Sequence, residues 1–218
     1  MSSSQLSQLY QAHHQQKSRL GFSILEQERA EWFLQHAPAT GDWLDVGCRD
    51  ATLTKHFAPR MKSVVGVDID ARALEEAKKN LPHGTFMQLD LLGDWSELGD
   101  QTFDVILCSE VLEHVYHPEQ VVAQIVKRLR PGGRFIGSVP NAFFLKHRLR
   151  YLLGQREATP LQDPTHITQF NAEDLRKIFP KTASSRLLLE GYTKPPFQGL
   201  AKQHPSLWAY NFLFEFSL

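Results

Sequence analysis

Short apolar runs recur along the chain and predict buried β-strands. They occupy residues 43–46, 64–67, 85–89, 103–108 and 130–136, with two more at 187–192 and 208–216. Apolar residues at helical spacing separate several of them, as at 71–80 and 119–129. Because two parallel strands need a helical crossover, this alternation predicts an α/β fold with a doubly wound, mostly parallel sheet.

The ends of the first two runs indicate a nucleoside-containing ligand. The first run ends at Gly47, a turn residue, and the second ends at the carboxylate of Asp68, about 20 residues later. A glycine turn followed at that distance by an acidic residue is typical of sites that bind ribose hydroxyls. The alternative is an ordinary strand-to-helix turn without a ligand.

Other polar residues follow the next predicted strands. Asp90 follows the third, and Ser109 and Glu110 follow the fourth. Because ligands bind beyond the carboxyl ends of parallel strands, we expect these residues to share one site with Gly47 and Asp68.

Two motifs resemble the small-molecule branch of the class I S-adenosylmethionine-dependent methyltransferases, including ubiquinone-pathway enzymes. The first is L-D-V-G-C-R-D-A at 44–51, and the second is F-D-V-I…E-V-L-E-H…L-R-P-G-G at 103–133. The resemblance implies a Rossmann-like sheet of seven strands whose last strand is antiparallel. It also implies that S-adenosylmethionine is bound by Asp45, Gly47, Cys48, Arg49, Asp68, Ile69, Asp90, Leu91, Ser109 and Glu110.

The first motif departs from the family pattern at two glycine positions, Arg49 and Ala51. We expect the Arg49 guanidinium to bind the carboxylate of the methionine moiety. The alternative is a degraded turn in a methyltransferase-like protein that binds cofactor without catalysis. A nicotinamide-dependent oxidoreductase is disfavoured because G-x-G-x-x-G is absent.

Methyl transfer to a hydroxyl needs a proton acceptor, and His166 and His114 are the candidates. The structural alternative for His114 is a histidine that bonds a backbone carbonyl at a helix end. The i, i+3, i+4 spacing of Glu110, Glu113 and His114 would place three potential ligands on one helix face. The resemblance implies magnesium as the ion, because certain relatives with an E-x-x-E-H element, such as the ubiquinone-pathway O-methyltransferases, bind it there. Magnesium is possible but not favoured in this chain, and we predict no metal. The predicted reaction is methyl transfer to a small molecule, with oxygen favoured over nitrogen or carbon as the acceptor atom.

Residues 23–36 predict an amphipathic helix with a capping box formed by Ser23 and Glu26. In the family a helix here closes over the cofactor; the alternative is a helix that only covers the sheet. Residues 141–154 predict another helix, followed by a loop at 163–170 and a helix capped by Asn171.

Composition fixes the broad class. The formal net charge of the 218 residues is zero, which disfavours nucleic acid as a partner. We expect a flexible polar segment at 1–22 and one methyltransferase domain at 23–218, in which 141–180 lies on the substrate side. No signal peptide or membrane-spanning segment is predicted, and Cys48 and Cys108 indicate reduced thiols, so we expect a cytoplasmic protein of unspecified oligomeric state.

A basic cluster at 146–156 stands out in this neutral chain. It would contact an anionic substrate or a membrane surface without inserting into the bilayer. The alternative is a solvated helix face.

Overall fold

The computed structural model describes residues 25–218, together with residues 8, 12, 20, 21 and 23. The predicted flexible segment at 1–22 therefore lies outside the described residues except at four positions. Ile24, the first apolar residue of the predicted 23–36 helix, also lies outside them.

Seven strands form one sheet in the order β3-β2-β1-β4-β5-β7-β6. Their bounds are Gly41–Val46 (β1), Met61–Asp68 (β2), Thr85–Gln88 (β3), Phe103–Ser109 (β4), Leu129–Pro140 (β5), Arg186–Tyr192 (β6) and Asn211–Ser217 (β7). The pairings among β1 to β5 are parallel, and β7 is antiparallel to both β5 and β6. The predicted Rossmann-like sheet with an antiparallel last strand is confirmed.

Helices connect these strands. Their bounds are Glu26–His36 (α1), Ala71–Asn80 (α2), Pro118–Lys127 (α3), Leu145–Leu152 (α4), Ala172–Lys177 (α5), Gln198–Gln203 (α6) and Pro205–Trp208 (α7). Shorter 3₁₀ segments occupy 54–60, 96–98, 112–114 and 160–162. Among the described residues, no helix is both long and apolar enough to cross a membrane.

Both faces of the sheet are buried at its central strands, whereas the edge strands β3 and β6 are partly exposed. Successive residues of β1 point to opposite faces, so Leu44 joins one hydrophobic cluster and Trp43 the other. Helices cover the two sides, which explains why the strands are nearly continuous apolar runs instead of alternating ones.

The first helix begins later than predicted, and its predicted capping box is wrong. The residue before α1 is Leu25, which is left-handed (φ 52°), and no side chain caps the helix. The Ser23 hydroxyl instead accepts a hydrogen bond from the Arg29 guanidinium at 2.5 Å. The cap predicted at Asn171 is confirmed, because its side chain accepts from the backbone N–H groups of Glu173 and Asp174.

Candidate active site

A cavity of about 860 Å³ opens at the carboxyl edge of the parallel strands. All twelve of the predicted cofactor and catalytic residues line it. They are Asp45, Gly47, Cys48, Arg49, Asp68, Ile69, Asp90, Leu91, Ser109, Glu110, His114 and His166. Residues from four strand ends and from the 163–170 loop thus meet at one place, as parallel strands require.

Gly47 is required by the geometry of its turn. Its φ is +75°, and a Cβ there would lie 2.4 Å from a methyl carbon of Val111. Its backbone N–H donates to the carbonyl of Val67 at 2.8 Å, which joins the turn to the end of β2. A side chain would therefore meet both a strained backbone and a wall of the cavity.

The two departures from the family pattern keep the conformation that glycine favours. Arg49 has φ 49° and Ala51 has φ 56°, so both are left-handed. The Arg49 backbone N–H donates to Asp68 Oδ2 at 2.8 Å, and its Nε donates to Asp50 Oδ1 at 3.1 Å. The left-handed backbone costs about 1–2 kcal/mol at each of these two residues.

Asp68 is held at the tip of β2 by the backbone. Its Oδ2 accepts from Arg49 and its Oδ1 accepts from the N–H of Asp70 at 2.9 Å. The side chain of Asp90, at the adjacent strand end, accepts from the N–H of Leu92 at 3.0 Å. A carboxylate only accepts hydrogen bonds, so both side chains have the chemistry to bind ligand hydroxyl or amino groups.

Asp45 lies beneath the turn and is almost completely buried. Burial raises its pKa from an ordinary value near 3.8 to about 7, although the Thr54 hydroxyl donates to its Oδ2 and opposes the shift. The folded state therefore keeps a proton on Asp45 at pH values where the unfolded chain has lost it.

This shift predicts an unusual pH dependence of stability for Asp45→Asn. As pH rises from about 4 to 7, the wild-type protein should lose unfolding free energy, up to roughly 4 kcal/mol, relative to the variant. Above pH 7 the difference should be constant. Denaturant unfolding at four pH values would measure it, and two parallel curves would contradict it. Asp42→Asn is the control of opposite sign, because hydrogen bonds from Arg130 and Ser63 lower the pKa of Asp42.

Arg29 is a cavity residue that the sequence analysis missed. It lies on α1, is 3% exposed, and donates to the hydroxyls of Ser109 at 2.8 Å and Ser138 at 3.4 Å. Helix α1 therefore supplies a side chain to the site. This supports the interpretation that the helix closes over the ligand, and argues against the alternative that it only covers the sheet. Its partners lie 80 and 109 residues away, so no spacing signal marked it.

Glu110 does not share a helix face with Glu113 and His114, so that prediction is wrong. Its φ is +58°, and only residues 112–114 form a 3₁₀ turn. Its Oε1 accepts from the Ser138 hydroxyl at 2.8 Å and the Asn211 amide at 2.9 Å. The left-handed residue thus directs this carboxylate toward β5 and β7.

His166 takes the place of Glu110 beside the other two residues. The ligand atoms of Glu113, His114 and His166 lie within 4.8 Å of one another. His114 Nδ1 lies 2.9 Å from the Thr165 carbonyl oxygen, and His166 Nδ1 lies 3.1 Å from that of Pro160. Because a carbonyl oxygen only accepts, each Nδ1 carries the hydrogen and each Nε2 is the basic nitrogen.

This histidine–carboxylate cluster has the chemistry of a metal site as well as that of a base. Two imidazoles with Nδ1 bonded to carbonyls, plus a buried carboxylate, fit a divalent cation. Two nitrogen donors favour zinc, iron or manganese over magnesium, which prefers oxygen. The donor set thus favours these ions over magnesium, and the absence of a metal stays a prediction.

A sequence profile described as a methyltransferase domain matches residues 13–182. The chain belongs to this family. The resemblance to class I S-adenosylmethionine-dependent methyltransferases is thereby confirmed as a family assignment.

Individual relatives agree with the methyltransferase assignment. The ubiquinone biosynthesis O-methyltransferase of Thiobacillus denitrificans is 35% identical over 117 residues, which are 52% of this chain and 50% of that protein. The chain spans about half the length of the curated relatives it matches.

Solved methyltransferases share the fold. An S-adenosylmethionine-dependent methyltransferase from Clostridium acetobutylicum superposes with a TM-score of 0.63 at 14% identity, over 97% of this chain and 98% of that one. The N-methyltransferase NodS from Bradyrhizobium japonicum, crystallised with S-adenosyl-L-homocysteine, gives 0.60 at 19% identity, over 91% and 89%. At these identities the likeness establishes the fold alone.

Proposed function

We propose that this methyltransferase domain transfers a methyl group from S-adenosylmethionine to an oxygen of a small-molecule acceptor. The observation that carries the proposal is that one cavity joins the strand ends at Gly47 and Asp68 to the histidine–carboxylate cluster. The named O-methyltransferase relatives favour oxygen as the acceptor atom. When bound, the cofactor supplies an electrophilic methyl group on a sulfonium.

The residues of the first two strand ends would hold the cofactor. Asp68 would accept hydrogen bonds from the ribose hydroxyls, and Asp90 one from the adenine amino group. Arg49, at the mouth of the glycine turn, would pair with the methionine carboxylate. Arg29 lines the same cavity and donates to the Ser109 hydroxyl at 2.8 Å, so we assign this second guanidinium to the same anionic end of the cofactor.

His166 would act as the general base. His166 Nε2 would take the proton of the acceptor hydroxyl as that oxygen gains the methyl group, and the electron pair of the broken carbon–sulfur bond would stay with the departing sulfur. His114 would hold the His166 ring in position, since the centroids of the two rings lie 4.8 Å apart. A divalent cation on the same cluster is the second candidate for activating the acceptor, favoured by the convergence of its three ligand atoms.

Calorimetry and isotope transfer test the proposal together. S-adenosylhomocysteine should bind and NAD should not. Protein supplied with methyl-labelled cofactor should label phenolic or catecholic acceptors in preference to amines. Binding without transfer to any acceptor would favour the non-catalytic alternative, and NAD binding would overturn the cofactor assignment.

The left-handed conformation of Arg49 leads to a further prediction, in which substitutions affect cofactor binding and protein stability differently. Arg49→Gly and Arg49→Ala should both weaken S-adenosylhomocysteine binding, because both remove the guanidinium. Only glycine relieves the strain at φ 49°, so Arg49→Gly should be more stable than Arg49→Ala by about 1 kcal/mol. Calorimetric Kd values and thermal unfolding would measure the two effects. Tighter binding by Arg49→Gly would show that the arginine obstructs the site.

A further inference from the structure

Helix α4 presents an apolar face to solvent. Leu149, Leu152 and Leu153 are 54%, 82% and 73% exposed, and their i, i+3, i+4 spacing places them on one side. The opposite side carries His147, which is buried, and Tyr151, which is half-buried. We call these three leucines the leucine face.

Cations border the leucine face on both sides. At 100° per residue, Lys146 and Arg150 project along one border and Arg148 along the other. Arg156 follows the helix and is exposed, and Glu157 is the one acidic residue at 141–162, which gives this segment a net charge of +3. A neutral protein therefore concentrates positive charge around exposed leucines.

The leucine face is preformed on the folded domain. His147 Nδ1 contacts the Asn141 carbonyl oxygen at 3.2 Å, and the Tyr151 hydroxyl donates to the carbonyl of Ala142 at 3.1 Å. The Arg148 guanidinium donates to the carbonyl of Ser206 at 3.2 Å. These bonds hold the buried side of α4 against the body, so the leucines point outward.

We propose that the leucine face docks on the surface of an anionic phospholipid bilayer. An interfacial helix places apolar side chains at the headgroup boundary while flanking lysines and arginines reach the lipid phosphates. Charge complementarity favours this occupant over a second copy of the chain, because two such faces would bring their cationic borders together. The proposal concerns a surface and does not depend on methyl transfer.

The docked surface adjoins the cavity. The chain runs from Arg156 directly into Ala158, Thr159 and Pro160, which form part of the cavity wall. Tyr116, which also lines the cavity, is 69% exposed. Docking through α4 would therefore bring the mouth of the cavity to the lipid surface.

Vesicle co-flotation tests the proposal, with the full chain and no cofactor or acceptor present. The wild-type protein should bind vesicles of 70% phosphatidylcholine and 30% phosphatidylglycerol but not pure phosphatidylcholine, and added salt should weaken binding. The double variant Leu152→Asn, Leu153→Asn should bind about tenfold less or weaker still. Leu188→Asn, at an exposed leucine on β6, is the matched control and should bind like wild type.

Charge-reversal variants distinguish binding to lipid through this surface from nonspecific adhesion. Lys146→Glu with Arg156→Glu should abolish binding to the anionic vesicles. The same charge change at the exposed residues Lys55 and Lys62 should reduce binding much less. Wild-type protein that does not float with anionic vesicles would overturn the proposal, as would wild-type affinity in the leucine variant. A dimer in light scattering that the leucine variant disrupts, without vesicle binding, would assign the leucine face to a second copy instead.

Discussion

Asp68→Ala is expected to raise the Kd for S-adenosylhomocysteine by about tenfold to a few hundredfold. The carboxylate lies at the tip of β2 and lines the cavity. Each hydrogen bond to a charged group contributes about 1.5–3 kcal/mol, and a ribose offers two hydroxyls to one carboxylate. Isothermal titration calorimetry measures the change directly.

The same substitution should also lower stability. Asp68 accepts from the backbone N–H groups of Arg49 and Asp70, and alanine leaves both without this partner. Asp70→Ala is the matched control, because Asp70 accepts from the N–H groups of Arg72 and Ala73 at the start of α2 but does not line the cavity. It should cost about 1 kcal/mol of stability and leave the Kd unchanged.

The comparison of these two variants isolates the role of Asp68 in binding. If Asp68→Ala keeps a Kd within twofold of wild type, Asp68 does not contact the cofactor. If Asp70→Ala weakens binding equally, the loss reflects a disturbed turn instead of a missing ribose contact.

The central strands were predictable because they are buried on both faces. Continuous apolar runs such as 64–67 leave few alternatives, and the residue after each run marks the carboxyl edge. Parallel strands bring those ends together, so Gly47, Asp68 and Asp90 could be assigned to one site from sequence order alone. The boundary of β7 was less predictable, because Pro205–Trp208 forms a helical turn before the strand begins at Asn211.

The unpredicted parts of the site depend on backbone conformation and distant contacts. The Glu110–Glu113–His114 spacing indicates one helix face only if the backbone is helical, and the left-handed Glu110 breaks it. His166 then completes the cluster from a loop more than 50 residues away. Arg29 was missed for a related reason, since its partners lie on β4 and β5.

Backbone strain is concentrated around the cavity. Among the described residues with φ above zero that are not glycine, Arg49, Ala51, Glu110 and Ala158 lie at the cavity or in its glycine turn. Left-handed backbone costs free energy at each residue, so the packed sheet must hold it in place. Local sequence preferences argue against these conformations at Arg49 and Ala51, so the left-handed turn could not be predicted from the residue types at these positions.

His166→Ala is expected to lower kcat by about 10²–10⁴, with the Kd for S-adenosylhomocysteine almost unchanged. Alanine removes the Nε2 nitrogen that would take the proton of the methyl acceptor. The cofactor residues lie at the strand ends and not on the loop of His166, so cofactor binding should not change. Steady-state turnover of a labelled phenolic acceptor measures the loss. His117→Ala is the matched control, because His117 is 57% exposed in its side chain and lies near His114 in sequence.

Treatment with a chelator distinguishes a metal-free general base from a mechanism that uses a bound metal ion. If His166 acts as a base without an ion, dialysis against a chelator should leave wild-type turnover unchanged, and added zinc or manganese should not increase it. If the cluster of Glu113, His114 and His166 holds a cation, the chelator should abolish turnover and the ion should restore it. Glu113→Gln then decides between the two readings, because the amide keeps the side-chain shape but binds cations poorly. Chelator-sensitive turnover that Glu113→Gln also abolishes would overturn the metal-free base, whereas insensitivity in both experiments leaves His166 as the group that takes the proton.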